Sequence, residues 1–282
     1  MVKMISKISK ESPLPGAGRA DITKFKDGVF QESEDLITAE EPLEIRICSG
    51  KSGKCSRFAV TMRTPGEDEY LAAGLLYTEG IVKGLSDFDT EKFRKTQSNI
   101  LEVWLKENSV EQKEERYFPS YSSCGLCGKT SLDQVFVKGA RIQHGFSKVS
   151  PSLILSLPGK MHSNQKMFSE TGGIHGAALF SEEGTVMASS EDVGRHNAVD
   201  KVIGKSFLDG TLGKGHILQI SGRSGFEIVQ KAAIAGIPVV SSVSAPSTLA
   251  VETAQTFGIT LICFVRENRF NIYTHGNRVS RK

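Results

Sequence analysis

The chain has 282 residues, which is long enough for about two domains of ordinary size. Its 35 basic and 32 acidic residues leave a net charge of +3, which argues against an extensive basic face for nucleic acid. The 5 cysteines are too few and odd in number for a disulfide scaffold. The chain lacks a secretory signal and an apolar run of about 18 residues. We therefore expect a cytoplasmic protein that binds neither nucleic acid nor membrane.

The part of the chain before residue 120 predicts a tail followed by a small α+β domain. Residues 1–22 contain Pro, Gly and Ser and are typical of a poorly ordered terminus, and the domain is expected to span residues 23–120. Thr64 and Pro65 resemble a helix N-cap and first helical residue, so that a helix is predicted as far as Gly80. Alternating apolar and polar residues predict strands over residues 44–48, 57–63 and 100–105.

Beyond residue 130, predicted strands and helices alternate. This order predicts an α/β domain over residues 130–282, with a mainly parallel sheet covered by helices on both faces. Ser150 and Pro151 begin an apolar helix in which Pro158 is expected to cause a kink. The predicted strands cover residues 177–180, 185–188, 216–221, 239–243, 259–264 and 271–274. The other predicted helices cover residues 194–208, 225–235 and 248–257.

The most informative motif is a CxxC formed by Cys124 and Cys127, in a Gly- and Ser-rich stretch predicted to be a mobile loop over residues 121–129. A zinc site would need two further ligands, and a thioredoxin-like dithiol would need a helix N-terminus in place of this loop. A thiol that carries sulfur as a persulfide needs an exposed, movable position, which this loop offers. The interpretation of Cys124 and Cys127 as a pair of structural thiols also stays open. The other cysteines are isolated along the sequence and receive no role: Cys48, Cys55 and Cys263.

Two later loops, residues 221–225 and 244–248, each follow a predicted strand and open a predicted helix. Their backbone N–H groups and helix dipoles favour an anion, and the carboxyl ends of parallel strands share one edge of a sheet. A third strand ends at the same edge in the polar run that begins at Phe264. The sequence therefore favours a phosphate-bearing ligand there. Its candidate binding residues are Ser221, Arg223, Ser224, Ser244, Arg266, Asn268 and Arg269.

Two further segments contain candidate polar groups. Arg195 and His196 open a predicted helix and are able to contact an anion or a proton-transfer partner, although a solvated first turn stays open. His175 follows a Gly-Gly pair just before a strand. It is interpreted as a ligand, an acid–base group or a packed core histidine, and its role is left open.

Together these motifs resemble the FdhD family, sulfur carrier proteins required for formate dehydrogenase activity. The resemblance covers residues 40–278 and rests on long motifs in one order: SSCGLCG, TGGIHGAA, EDVGRHNAVDKVIG, SGRSGFEIVQKAAIAGIP, SAPSTLAVETA and FVRENR. It implies a cytidine-deaminase-like αβα three-layer fold for the C-terminal domain. It also implies a homodimer.

The resemblance implies a sulfurtransferase activity as well. A cysteine desulfurase would give sulfur to the CxxC motif, and the protein would pass it to the bis(molybdopterin guanine dinucleotide) molybdenum cofactor before that cofactor enters formate dehydrogenase. Cys124 matches the family's persulfide-carrying cysteine and Cys127 the second one. GDP is a partial mimic of the cofactor. We infer from the residues, and not from the resemblance, that Arg195 or His196 has a role near the sulfur-accepting metal. The cofactor-binding stretch matches Phe264, Val265, Arg266, Glu267, Asn268 and Arg269.

Two alternatives compete with this interpretation. A cofactor chaperone would bind the same dinucleotide without carrying sulfur. A zinc-dependent nucleoside deaminase would need His-x-Glu followed by Pro-Cys-x-x-Cys. Here Cys124 precedes His175, and Ala177 stands where that motif has its Glu. No metal site is therefore predicted.

Overall fold

A computed structural model of the chain describes residues 8–9, 14–50, 52–106, 139–140, 148–214 and 217–281. The predicted loop 121–129, with Cys124 and Cys127, lies outside these residues. The described residues form three β-sheets and six α-helices. None of these helices is long and apolar enough to cross a membrane.

The first sheet is antiparallel and lies at the N-terminus. Residues 17–22, which we expected to belong to a poorly ordered tail, lie instead in its second strand, which pairs along its whole length with the third. Asp27 and Gly28 join these two strands with φ values of 52° and 83°, the left-handed conformation that a tight hairpin turn requires. The strands, in sheet order, are β1 (Ile8–Ser9), β2 (Ala17–Lys26) and β3 (Val29–Thr38).

The second sheet confirms the predicted strands at residues 44–48, 57–63 and 100–105. Its strand order is β5-β4-β7-β6, and a helix, α1 (Asp68–Thr78), follows β5. The N-cap prediction at Thr64 is wrong, because the helix begins three residues beyond Pro65. The strands are β4 (Glu41–Ser49), β5 (Cys55–Arg63), β6 (Phe88–Gln97) and β7 (Ile100–Leu105).

Thr64 is instead buried against the second half of the chain. Its backbone N–H donates to the Asp192 carboxylate at 3.2 Å, and its hydroxyl accepts from the Val193 N–H at 3.0 Å. Tertiary hydrogen bonds have therefore replaced the local cap that the sequence suggests.

A disulfide joins Cys48 and Cys55, which the sequence predicts as isolated thiols. The two residues are direct partners in the antiparallel pairing of β4 with β5. The expectation was wrong because the pairing depends on strand register, which spacing along the chain does not reveal.

The third sheet has the strand order β13-β12-β11-β10-β8-β9. Only the pairings of β10 with β11 and of β11 with β12 are parallel, so the prediction of a mainly parallel sheet is wrong. Antiparallel hairpins at both edges produce a mixed sheet. The strands are β8 (His175–Phe180), β9 (Val186–Asp192), β10 (Ile217–Ile220), β11 (Val239–Ser242), β12 (Thr260–Arg266) and β13 (Arg269–Ile272).

Helices cover both faces of this sheet, as predicted. Ala178 and Ile217 belong to the hydrophobic cluster that contains Ile154 of α2, whereas their neighbours Leu179 and Leu218 belong to the cluster on the opposite face. Ser150 caps α2 as predicted, and the helix continues through Pro158. The helices after α1 are α2 (Pro151–His162), α3 (Lys166–Thr171), α4 (Arg195–Leu208), α5 (Phe226–Ile234) and α6 (Thr248–Thr256).

Helix α1 connects the second sheet to the third by packing directly on α4. A Cβ atom on Gly74 would overlap the carbonyl of Asp200, and one on Gly204 would overlap the carbonyl of Tyr70. Only glycine therefore allows the two backbones to approach this closely. One hydrophobic cluster includes Leu71 of α1 together with core residues of the third sheet. The domain boundaries at residues 23–120 and 130–282 stay a prediction.

The crossing predicts a large cost for adding one methyl group. Gly204→Ala should destabilise the protein by about 1–3 kcal/mol, because the new Cβ overlaps backbone that has no room to shift. The measurement is the free energy of unfolding from chemical denaturation. Gly159→Ala is the matched control: its Cβ would meet nothing within 4 Å, and it should stabilise α2 by up to about 1 kcal/mol. Equal effects of the two substitutions would contradict the close crossing.

Candidate functional site

The two predicted anion loops lie side by side at one edge of the third sheet. The Ser224 N–H donates to the Ala245 carbonyl and the Ser247 N–H donates to the Ser224 carbonyl, each at 3.1 Å. Ser242, at the end of β11, donates its hydroxyl to the Gly222 carbonyl and accepts the Ser244 N–H. The loops therefore form one hydrogen-bonded unit at the carboxyl ends of β10 and β11.

The end of β12 joins the same unit. The Arg266 guanidinium donates to the carbonyls of Val243 and Val265, at 2.5 and 3.0 Å. Phe264 has φ 56°, a left-handed conformation that is rare for a bulky residue and commonly marks a functional position. Its backbone N–H donates to the Ser244 carbonyl. The strained residue is therefore held between the sheet edge and the second loop.

Arg195 and His196 extend the site along the first turn of α4. The His196 Nε2 lies 3.0 Å from a carboxylate oxygen of Glu227, in the first turn of α5. The second Glu227 oxygen and the Arg195 Nε are both buried without a hydrogen-bond partner among the described residues. Neither α4 nor α5 has a side-chain N-cap, and the cluster lies in the first turns of both helices, where their dipoles are positive.

Next to this cluster is a cavity of about 520 Å³. Ser221 and His175 form its wall at the sheet edge, where Ser221 accepts the Gly176 N–H and its hydroxyl lies 3.4 Å from the His175 Nδ1. Met161 and Phe168 supply apolar surface on the helical side. Mainly apolar walls with a few fixed polar groups are typical of pockets for small organic ligands.

Sequence reasoning missed Gln165 and His162, which also line the cavity. The side chain of Gln165 is 5% exposed, and its Nε2 has no hydrogen-bond partner in the described part of the chain. Such an unsatisfied donor favours a ligand that offers an acceptor. Both residues belong to the segment of α2 and α3, and no local pattern indicates that this segment packs at the sheet edge.

Glu191 holds α3 in place beside the cavity. Its carboxylate accepts the backbone N–H groups of Met167 and Phe168, at 2.9 and 2.8 Å. Burial raises the pKa of Glu191 despite these hydrogen bonds. The contact satisfies N–H groups at the start of a helix that lacks a side-chain N-cap.

The structure brings most of the predicted site residues to one edge but gives them different surroundings. Ser221, Ser244, Arg195 and His196 are partly accessible. Ser224 and Val265 are buried, so their side chains are not exposed to a ligand at this edge. The exposed residues are Arg223, Phe264, Arg266, Glu267, Asn268 and Arg269.

Burial lowers the pKa of His175, and the positive charges of Arg195 and His196 lower it further. The Cδ of Arg195 and the His175 ring both lie close to Gly222, where a Cβ would be 3.7 and 3.4 Å from them. His175 is therefore favoured as a neutral imidazole, which has one donor and one acceptor for a ligand.

Residues 38–280 match the sequence model of the FdhD/NarQ family. The chain is 46% identical over 260 residues to the sulfur carrier protein FdhD of Thermoplasma volcanium, a match that covers 88% of this chain and 90% of that protein. It is also 46% identical to the protein of the same name from Picrophilus torridus, over 98% of this chain and 100% of the other.

A solved structure has a similar fold. It is the crystal structure of a Desulfotalea psychrophila protein assigned as a formate dehydrogenase accessory protein. The TM-score is 0.74 at 21% identity, over 94% of this chain and 100% of that one.

The neutral state of His175 predicts a response to charge removal at Arg195. Arg195→Gln should raise the pKa of His175, because one of the charges that disfavour the imidazolium is lost. Arg195→Lys keeps the charge and should leave that pKa low. Histidine NMR titration, assigned with His175→Gln, measures both.

The lowered pKa of His175 also makes the stability of the protein depend on pH. The pKa of His175 in the folded protein lies below the usual histidine value of 6.5, so the unfolded chain binds more protons between these two values. Stability should therefore fall as pH drops from 6.5 through the folded pKa, and His175→Gln should weaken this dependence. A pKa of 6.5 or higher in the parent protein would contradict the assignment.

Proposed function

The chain belongs to the FdhD/NarQ family, and we propose that it is a sulfur carrier protein that supports the maturation of formate dehydrogenase. The observation that carries the proposal is the identity of 46% to proteins named sulfur carriers, over nearly the whole chain. The CxxC formed by Cys124 and Cys127 supplies the thiol that such a carrier needs.

In the proposed activity, a cysteine desulfurase is the donor and Cys124 is the nucleophile. The Cys124 thiolate attacks the outer sulfur of the donor's persulfide, the donor leaves as a thiolate, and Cys124 becomes the persulfide. An acceptor then uses its own electron pair to bond the outer sulfur. The S–S bond breaks with its electrons on Cys124, which restores the thiolate. Cys127 assists this exchange as the neighbouring thiol.

The proposed acceptor is the bis(molybdopterin guanine dinucleotide) molybdenum cofactor, bound as substrate at the sheet edge. Its phosphates fit the uncapped ends of α4 and α5 and the guanidinium groups of Arg223, Arg266 and Arg269. Its heterocycles offer the acceptors that the buried Nε2 of Gln165 and Nε of Arg195 lack. The donors present thus suit a ligand with several anionic groups and polar rings.

The finer architecture is part of the same proposal. We assign the third sheet and its helices to the cytidine-deaminase-like αβα class, which the coverage of both sheet faces supports. We also propose a homodimer. Two exposed apolar side chains support an interface with a second copy of the chain. They belong to Ile272, in the edge strand β13, and to Tyr273, just beyond it.

The sulfur-transfer step predicts a covalent adduct. Incubation of the full chain with a cysteine desulfurase and cysteine should add the mass of one sulfur atom at Cys124, seen by intact-mass analysis and peptide mapping. Cys124→Ser should abolish the adduct. The same variant should still bind GDP, which shows that its fold is retained.

Activation of formate dehydrogenase separates the alternatives. A non-catalytic cofactor chaperone would leave activation intact in Cys124→Ser, whereas a sulfur carrier would lose it. No adduct at either Cys124 or Cys127 in the parent protein would refute sulfur transfer. Stoichiometric zinc with deaminase turnover would favour the deaminase alternative instead.

The cofactor placement predicts where GDP binds. Replacing both Arg266 and Arg269 by alanine should weaken GDP binding about tenfold or more, since each lost charge-assisted hydrogen bond is worth about 1.5–3 kcal/mol. Isothermal titration calorimetry measures the change. Arg19→Ala is the matched control, because Arg19 pairs with Glu34 in the N-terminal hairpin. Unchanged affinity in the double variant would refute this placement.

A further inference from the structure

The disulfide between Cys48 and Cys55 lies outside the machinery proposed for sulfur transfer. The sulfur of Cys48 belongs to a fully buried residue, whereas Cys55 is exposed. A disulfide with one exposed cysteine is open to attack by a small thiol, as labile rather than purely structural disulfides are. The pair is therefore a candidate for reversible chemistry.

A third group completes the arrangement. Glu102 of β7 contributes a carboxylate oxygen that lies within 4.8 Å of both sulfur atoms. β7 pairs in parallel with β4, so that Arg46 is opposite Glu102 and Cys48 is opposite Trp104. Because strand residues alternate between faces, Glu102 and Cys48 share the face away from the buried Leu101 and Val103.

Two arginines near the disulfide pair with another carboxylate and not with Glu102. Arg46, the residue opposite Glu102, directs its Nε to Glu44 at 2.7 Å. Arg57 also pairs with Glu44, at 3.6 Å. Both arginines close to the disulfide are thus directed toward Glu44, on the adjacent strand.

We propose that Cys48, Cys55 and Glu102 form a redox-gated site for a thiophilic divalent cation of the zinc class. Two sulfurs and one carboxylate within 4.8 Å match the ligand types and number of a zinc site that keeps its fourth position for water. While the disulfide is intact, neither sulfur is a thiolate, and the site is closed.

The chemistry of opening and closing is thiol–disulfide exchange. A small dithiol attacks the sulfur of the exposed Cys55, leaves as its own cyclic disulfide, and supplies the two electrons and two protons that convert the bond into two thiols. The cation then displaces both thiol protons and binds two thiolates and the ionised Glu102. A small disulfide closes the site again: it takes up the two electrons of the thiolates and two protons from water to become two thiols, and the cation is released.

The other cysteines must be separated from this site in any test. Burial raises the pKa of the Cys263 thiol to about 12, so Cys263 stays protonated at neutral pH. Cys124 and Cys127 also have the spacing of metal ligands. The experiment therefore uses the full chain with both replaced by serine, with Co²⁺ as the probe because thiolate ligands give it a charge-transfer absorption band.

The reduced full-length Cys124→Ser/Cys127→Ser protein should bind one Co²⁺ per chain with that band, and the oxidised protein should not. Cys55→Ser, at an exposed position, should remove the band. Glu102→Gln leaves both thiols in place and should weaken Co²⁺ binding about tenfold or more. Circular dichroism checks that each variant is folded.

Three results would each overturn the proposal. The first is the absence of the band in the reduced protein, and the second is equal Co²⁺ binding by the oxidised protein. The third is an unchanged affinity of Glu102→Gln for Co²⁺, which would show that only the two thiols bind the cation. Because none of these measurements uses sulfur transfer, they are independent of the proposed function.

Discussion

The close crossing of α1 and α4 at Gly74 and Gly204 is the constraint on which the rest of the structure depends. The helices approach until there is no room for a Cβ on either glycine. At the same crossing, the buried Asp200 carboxylate accepts from the Thr78 hydroxyl at 2.9 Å and from the Lys231 ammonium at 2.8 Å. Lys231 belongs to α5, so the Asp200 carboxylate joins three helices through these two contacts. Two of these, α4 and α5, carry Arg195, His196 and Glu227 in their first turns, and the crossing therefore sets the geometry of the site.

A second buried ion pair joins the middle of α4 to the end of the strand before it. Asp192 and Lys201 are fully buried and 2.8 Å apart. Asp192 also accepts N–H groups from Thr64 and Gly194, and Lys201 also donates to the carbonyls of Thr64 and Glu191. Since buried charges are costly unless every group is satisfied, this network favours one specific arrangement more than it adds stability. It joins the strand that leads into Arg195 to the end of β5.

The features that could be predicted from the sequence are those that local interactions decide. Ser150 accepts the Leu153 N–H and Pro151 follows it, as the cap pattern indicates. Thr64 and Pro65 show an equally good pattern, but the buried Asp192 captures the Thr64 N–H, and no local rule reveals a partner so distant in the chain. In the site, the loops after β10 and β11 were predictable from strand ends, whereas the wall formed by Gln165 depends on how α2 and α3 pack.

The disulfide between Cys48 and Cys55 also depends on tertiary structure that local sequence patterns do not reveal. From Glu41 to Ile45, β4 pairs with β5 in one register, and a bulge then shifts the pairing by one residue. Without that bulge, Cys48 would be opposite Ser56, and the two sulfurs would lie on opposite faces. The bulge is a property of the assembled sheet, so the sequence spacing of the cysteines could not predict their contact.

The placement of the cysteines also bears on how a persulfide carrier would protect its sulfur. A persulfide exchanges with any accessible thiolate, so additional reactive thiols on the same chain would divert the sulfur atom. Cys263 does not exchange with a persulfide, because its burial keeps the thiol protonated. Cys48 and Cys55 are withheld while they are bonded to each other, and a bound cation would withhold them equally when they are reduced. Of the 5 cysteines, Cys124 and Cys127 are then the pair left for exchange, which is the condition that directional sulfur transfer requires.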